Sequence, residues 1–108
     1  DADGHLKALL GSPGGGRIIL FVTKALVALL DWRLDPYAAA ALMNFGSMGG
    51  PVELEYDVKA ILTGLRLKRY GHDVAPDLMN SGLNILTVRD GRIEGGSDPR
   101  RDGAALGD

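Results

Sequence analysis

A glycine-rich turn, Gly11-Ser-Pro-Gly-Gly-Gly-Arg17, runs straight into the apolar stretch Ile18-Ile-Leu-Phe-Val22, and no other feature restricts the possible folds as much. The apolar run has to be buried, while the glycines before it open backbone conformations that side chains forbid. A helix start leaves several N–H groups without partners and carries a partial positive charge, so it suits an anion or a developing oxyanion. Glycine lets a ligand approach those donors closely. Pro13 stiffens the turn by fixing its own φ and disfavouring α geometry at Ser12.

Two readings come from the residues themselves. Gly11 and Gly16 have the spacing of the outer glycines of a phosphate-binding GxxxxGK[ST] loop, but the next residues are Arg17 and Ile18. The Lys that reaches terminal phosphates and the Ser or Thr that holds magnesium are both missing, and the dinucleotide fingerprint GxGxxG is unmatched. The other reading is a tight turn that lets a helix and a sheet pack closely, and spacing alone favours it.

A third reading rests on resemblance. Gly11-Ser-Pro-Gly-Gly15, the following Arg-Ile-Ile and the late Asp98-Pro-Arg-Arg-Asp-Gly103 together resemble the C-terminal part of the small subunit of gamma-glutamyltransferases. The intervening order is similar too: an apolar helix, then Asp35-Pro36, the Glu53-Leu-Glu55 strand, and a helix ending in Gly71-His72. The resemblance spans essentially the whole chain. It implies an N-terminal-nucleophile hydrolase, in which self-cleavage exposes a threonine that acts as nucleophile and supplies its own amine as base. The implied fold is α/β (α+β), part of a four-layer αββα sandwich. The paired glycines after Ser-Pro are that family's oxyanion hole and match Gly14 and Gly15 here. Backbone donors aimed at a tetrahedral oxyanion are commonly the largest electrostatic contribution to acyl transfer.

The same resemblance defines what lies elsewhere. Residue 1 is Asp, and Thr23, Thr63 and Thr87 are each expected inside a helix or strand, so none serves as an N-terminal nucleophile. The implied partners are the upstream remainder of the same precursor and a small gamma-glutamyl substrate such as glutathione. The implied location is periplasmic or extracellular, and no cofactor or metal is implied. No signal-peptide pattern begins at Asp1, as expected for residues from the end of a longer precursor. Many members carry an Ala-Pro-Arg-Phe-His-like stretch where this chain has Ala41-Leu-Met-Asn-Phe45-Gly-Ser-Met-Gly-Gly50, which leaves open the acceptor, or a related acylase acting on another amide. The non-enzymatic alternative is a small-anion-binding or assembly module built on the glycine loop.

At 108 residues the chain is expected to form a single domain, and its formal charge of -2 provides no electrostatic footprint for nucleic acid or an anionic membrane. With no cysteine, disulfides and thiolate metal sites are excluded. The apolar stretch Ile18 to Leu30, interrupted by Thr23 and Lys24, falls short of the roughly 20 residues a membrane span needs. Sixteen glycines and few aromatics predict many turns around a core of Leu, Ile, Val and Ala.

Asp3-Gly4 is a hairpin-turn signal, and His5 to Leu10 reads as a strand whose partner lies before residue 1. From Gly16 or Arg17 to about Leu30 the chain reads as a helix covered on both sides. Asp35 caps a second helix, with Pro36 in its first turn and its end near Asn44. Phe45 to Pro51 reads as a loop. Val52, Leu54 and Tyr56 alternate with Glu53 and Glu55 as in a half-buried strand. Asp57 caps a third helix with Val58, Ile61, Leu62 and Leu65 as its core face and Gly71 as its stop. A short strand follows around His72 to Ala75, and Leu83–Arg89, Asp90-Gly91 and Arg92–Gly95 form the clearest hairpin.

Several side chains admit sharper roles. Arg100 and Arg101 suit a substrate carboxylate, but a capped turn with Asp98 and Asp102 balancing the arginines is the favoured reading. Arg17 suits either an anion at the loop or a nearby carboxylate. Glu53 and Glu55 share a strand face, where solvated charges are more common than a cation site. His5 and His72 lack ligand or nucleophile spacing, Trp32 and Tyr37 are expected to pack at a helix corner, and Ser12 is not in a GxSxG elbow.

Overall fold

The computed structural model describes residues 1–107, with helices and strands in the order expected of an α+β chain. Strand β1 (Ala8–Gly11) leads through a short 3-10 turn at Gly15–Arg17 into α1 (Ile18–Leu30) and α2 (Pro36–Ala41). Then come β2 (Phe45–Gly46), β3 (Val52–Glu55), α3 (Val58–Arg69), β4 (Val74–Asp77), β5 (Asn84–Arg89) and β6 (Arg92–Ser97). The strands make two three-stranded sheets, ordered β1-β5-β6 and β2-β3-β4.

The first sheet is antiparallel, and Asp90 and Gly91, both at positive φ, close the expected β5–β6 hairpin. Helices α1 and α2 cover one of its faces through Phe21, Ala25, Ala28, Leu29, Ala39 and Ala40, which meet Met79, Leu83 and Ile85. Small residues let the layers close. A Cβ on Gly96 would lie 2.3 Å from the Tyr37 nitrogen, so the start of α2 rests directly on β6. In the second sheet β3 and β4 run parallel, joined by α3 as a crossover, while β2 pairs antiparallel with β3.

Several expectations are corrected. The Asp3-Gly4 turn does not open a hairpin: Gly4 N–H donates to Asp1 O at 3.1 Å, β1 starts only at Ala8, and its partner is β5. Helix α2 ends at Ala41, and Phe45–Gly46 is a strand because its backbone finds Leu54 and Glu53 across the ladder. The fourth strand is shifted by two residues to pair with β3. Helix α1 is covered on one face among the described residues, since Ile19 and Leu30 stay exposed.

The largest difference is on α3. Its buried residues are Ala60 and Gly64, while Val58, Ile61, Leu62 and Leu65 are exposed, with Ile61 and Leu62 each 64% accessible. Small residues permit the closest approach to β3 and β4. A Cβ on Gly64 would only just touch Val74 and Leu54, so the helix seats on that narrow ridge and its bulky side chains hang beyond it. Tyr56, Trp32 and Tyr37 are likewise exposed rather than packed. The caps are as expected: Asp35 accepts from Ala38 N–H, Asp57 accepts from Lys59 N–H, and Gly71 sits at φ 87° beyond α3.

Candidate functional site

The glycine turn is held open at the end of β1. Gly14 adopts φ 144° and Gly15 φ 57°, and neither N–H donates to any atom among the described residues. The chain then tightens into the 3-10 turn, with Arg17 N–H on Gly14 O at 3.1 Å and Ile18 N–H on Gly15 O. A Cβ on Gly14 would sit 2.7 Å from the Phe21 ring, so both backbone and space require glycine there. Around Gly15 there is nothing within 4 Å of a would-be Cβ. Two N–H groups without partners among the described residues thus belong to exposed glycines just before the positive end of a 13-residue helix.

The loop is anchored on both sides. The Ser12 hydroxyl donates to Pro13 O at 2.8 Å and accepts from Gly82 N–H at 3.0 Å, which engages it structurally. On the other side Arg17 donates Nε to Glu53 at 2.9 Å and Nη2 to Asp77. Asp77 is held below the usual carboxylate range, first by Arg17 and then by the Leu78 N–H. The hydrogen bonds that Arg17 donates to Glu53 and Asp77 raise its own pKa. With two carboxylates on its guanidinium, Arg17 is committed to an ion triad, and Glu53 is neither a solvated charge nor a cation ligand.

A second polar cluster lies behind the loop, inside the core. Arg100 grips Glu55 with Nε and, at 2.6 Å, Nη2; it also donates to Asp98 Oδ1 at 2.9 Å and to the Ala40 and Leu42 carbonyls. Asp98, 2% accessible, accepts from the Ser81 hydroxyl, Leu83 N–H and Arg100 N–H. Burial pushes its carboxyl up, but these donors outweigh burial and hold it below the ordinary value. Burial likewise opposes the Arg100 charge, which Glu55 and Asp98 more than restore. Asn44 closes the ring, its N–H on Glu55 at 2.8 Å and its Nδ2 on Ser81 Oγ at 2.9 Å and Met79 O at 2.7 Å. Lys24 points into this cluster, donating to Asn44 Oδ1 at 2.8 Å and Leu42 O at 2.7 Å. Burial, with Arg100 nearby, lowers its pKa to about 8.

The whole of this chain, residues 1–108, matches the gamma-glutamyltranspeptidase family model. The chain belongs to that family. It is 34% identical over 100 residues to the glutathione hydrolase proenzyme of Escherichia coli (strain K12), covering 91% of this chain and 17% of that protein. It therefore spans about a sixth of that relative's length. Among solved structures it is similar to the gamma-glutamyltranspeptidase from Pseudomonas nitroreducens complexed with L-DON, with TM-score 0.79 and 24% identity over 96% of this chain and 56% of that one. The transpeptidase CapD of Bacillus anthracis gives TM-score 0.75 at 24% identity over 94% and 63%. The cephalosporin acylase from Bacillus halodurans gives 0.78 at 24% over 88% and 19%. The α+β fold is the N-terminal-nucleophile hydrolase fold of these transpeptidases.

Gly14 and Gly15 are adjacent, both at positive φ, where the loop enters the 3-10 turn before α1. Thr23 lies on the exposed side of α1, Thr63 donates to Lys59 O in α3, and Thr87 is buried in β5. Arg100 is fully engaged inside the protein, and Arg101 donates to the Ser81 and Asn80 carbonyls, so neither is a free clamp. The capped turn expected at 98–103 is there, built on Asp98 without Asp102. Reading the sequence missed Lys24, Asn44 and Ser81. The available signal was a single lysine in the middle of a helix apolar but for Thr23, since such a residue has to find buried acceptors.

Proposed function

We propose that this chain is the C-terminal portion of the small subunit of a gamma-glutamyltransferase or glutathione hydrolase, and that Gly14 and Gly15 supply its oxyanion hole. The observation that carries this reading is the pair of unpartnered N–H groups on the adjacent, exposed Gly14 and Gly15 before α1, where Phe21 leaves no room for a side chain on Gly14. A hydroxyl nucleophile attacking the gamma-carbonyl forms a C–O bond and pushes the carbonyl electron pair onto oxygen. Two fixed N–H donors stabilise that charge more than they stabilise the neutral carbonyl, which is the condition for accelerating the step. Collapse of the intermediate expels the amine, and water or an acceptor amine then releases the acyl group.

The nucleophilic threonine belongs to the remainder of the same precursor, and the present residues form one structural unit docked against it. The donor is a small gamma-glutamyl compound such as glutathione, in keeping with the glutathione hydrolase proenzyme to which the chain is similar. A periplasmic or extracellular location is part of the same reading. An independent anion-binding module is disfavoured by Arg17, whose charge is already spent on Glu53 and Asp77.

Proline is a poor probe of the donors, because Gly14 at φ 144° lies far from the value proline imposes. Replacing the Gly15 amide by an ester in the complete protein removes one N–H while keeping the shape. Turnover of glutathione is expected to fall by roughly 100- to 1,000-fold with KM little changed. Unchanged turnover removes that N–H from the oxyanion hole.

A further inference from the structure

The glycine loop is tied at both ends to one short segment, Met79–Leu83. On the β1 side, Gly82 N–H binds the Ser12 hydroxyl, and Gly82 itself is enclosed by Pro13 and the Arg101 stem, its would-be Cβ lying 2.9 and 2.7 Å from them. On the α1 side, the tie runs through Lys24, two helical turns after the loop. Lys24 Nζ donates to Asn44 Oδ1, and Asn44 Nδ2 donates to both Met79 O and Ser81 Oγ. The Ser81 hydroxyl then donates to Asp98.

Every hydrogen bond in that chain points the same way, from a cation at one end to a carboxylate at the other. Direction matters because an ammonium has donors and no acceptor, so only the carbonyl oxygen of Asn44 can face it. The amide nitrogen is thereby committed to Met79 and Ser81, and chains with aligned donors polarise and strengthen one another in a dry interior. Lys24 is 4% accessible and Asn44 fully buried, so water does not substitute for either. An apolar residue on α1 would bury more cheaply than an ammonium.

Building on the oxyanion-hole reading, we infer that Lys24 is a positioning residue for acyl transfer, setting the placement of Gly14 and Gly15 through Asn44, Ser81 and Gly82. The charged groups around it are Arg100 and Asp98 from the C-terminal turn and Glu55 from β3, and Arg100 is the one that opposes its charge. Loss of the Lys24 proton removes the charge and leaves two N–H donors for the three acceptors Asn44 Oδ1, Leu42 O and Ala40 O, which weakens the chain at its source. The loop donors then lose their register on the α1 side while Ser12 still holds the β1 side.

The test uses the complete, processed protein with a chromogenic gamma-glutamyl anilide as donor. Lys24→Met is expected to lower kcat by roughly tenfold to a hundredfold with KM within about twofold, as for a small misplacement of catalytic groups. The wild type should lose kcat above pH about 8, where Lys24 gives up its proton, and the variant should lack that decline. Asn44→Leu should reproduce the loss, and the double variant should be no worse than either single one. Hydrogen exchange at the Gly82 amide should accelerate in Lys24→Met, a readout that stands apart from turnover. Should the methionine variant not accumulate, Lys24→Gln, which lacks the charge, takes its place. Unchanged kcat, unchanged Gly82 exchange or additive losses overturn the inference. Failure of the ester at Gly15 to slow turnover, with Gly82 exchange still dependent on Lys24, overturns the oxyanion reading instead and leaves the structural tie standing.

Discussion

The two sheets of this molecule are built to different standards. Around β1-β5-β6, helices α1 and α2 close onto glycine and alanine, and every buried polar side-chain atom save the Thr87 hydroxyl has a partner among the described residues. Around β2-β3-β4, α3 touches its sheet through Ala60 and Gly64 and turns Val58, Ile61, Leu62 and Leu65 to the outside. The difference shows where precision is held: the first region carries the glycine loop, while the second is joined to it by the Arg17 triad, the Glu55–Arg100 pair and the close packing of Gly46 on Leu20.

The sharpest break in that comparison is Asp98→Ala, which leaves the Ser81 hydroxyl, Leu83 N–H and Arg100 N–H without their acceptor while Arg100 keeps Glu55. A loss of about 3–5 kcal/mol is expected in chemical denaturation, as for several buried donors deprived of one shared acceptor. Because the folded state holds the Asp98 pKa below its ordinary 3.8, its contribution is present above that value and disappears as pH falls through the lower folded value. Acid unfolding of the wild type should therefore be steeper than that of Asp98→Asn.

Lys24 also makes stability rise with pH, but in an alkaline window. Its folded pKa of about 8 lies below the ordinary 10.5, so the unfolded chain holds the proton more tightly between those values and stability rises with pH across the window. The gain is up to about 3 kcal/mol, and Lys24→Met should flatten the slope. A rise that persists in the variant belongs to another group.

Thr87→Val sharpens the picture of the same core. The Thr87 hydroxyl is buried without a partner, and its removal at nearly constant volume should stabilise the protein by about 1 kcal/mol. The smallest effect belongs to the other region, where Ile61→Gln on the exposed face of α3 should change the stability of the 108-residue chain by no more than about 0.5 kcal/mol. A large loss there would mean that the face is covered.

Much of the local structure was legible from the sequence. Asp35-Pro36 and Asp57 start their helices, Gly71 ends one, and Asp90-Gly91 turns the hairpin, because caps and positive-φ turns depend on a few neighbouring residues. Gly14 and Gly15 were singled out as candidates by the family resemblance of the turn, not by its spacing. The face of α3 was not legible. Its apolar spacing shows which residues share a side, whereas the small pair Ala60 and Gly64 determines which side approaches the sheet.

The sequence by itself determined the helices, the hairpin, the family and the place of the glycine loop at a helix start, since each depends on residues close together along the chain or on motifs in order. Only the tertiary structure decided what Arg17, Glu53, Glu55, Lys24, Asn44 and Ser81 do. Their partners lie 11 to 60 residues away, and a polar side chain acquires its role from whichever acceptor or donor the fold brings within about 3 Å in the absence of water.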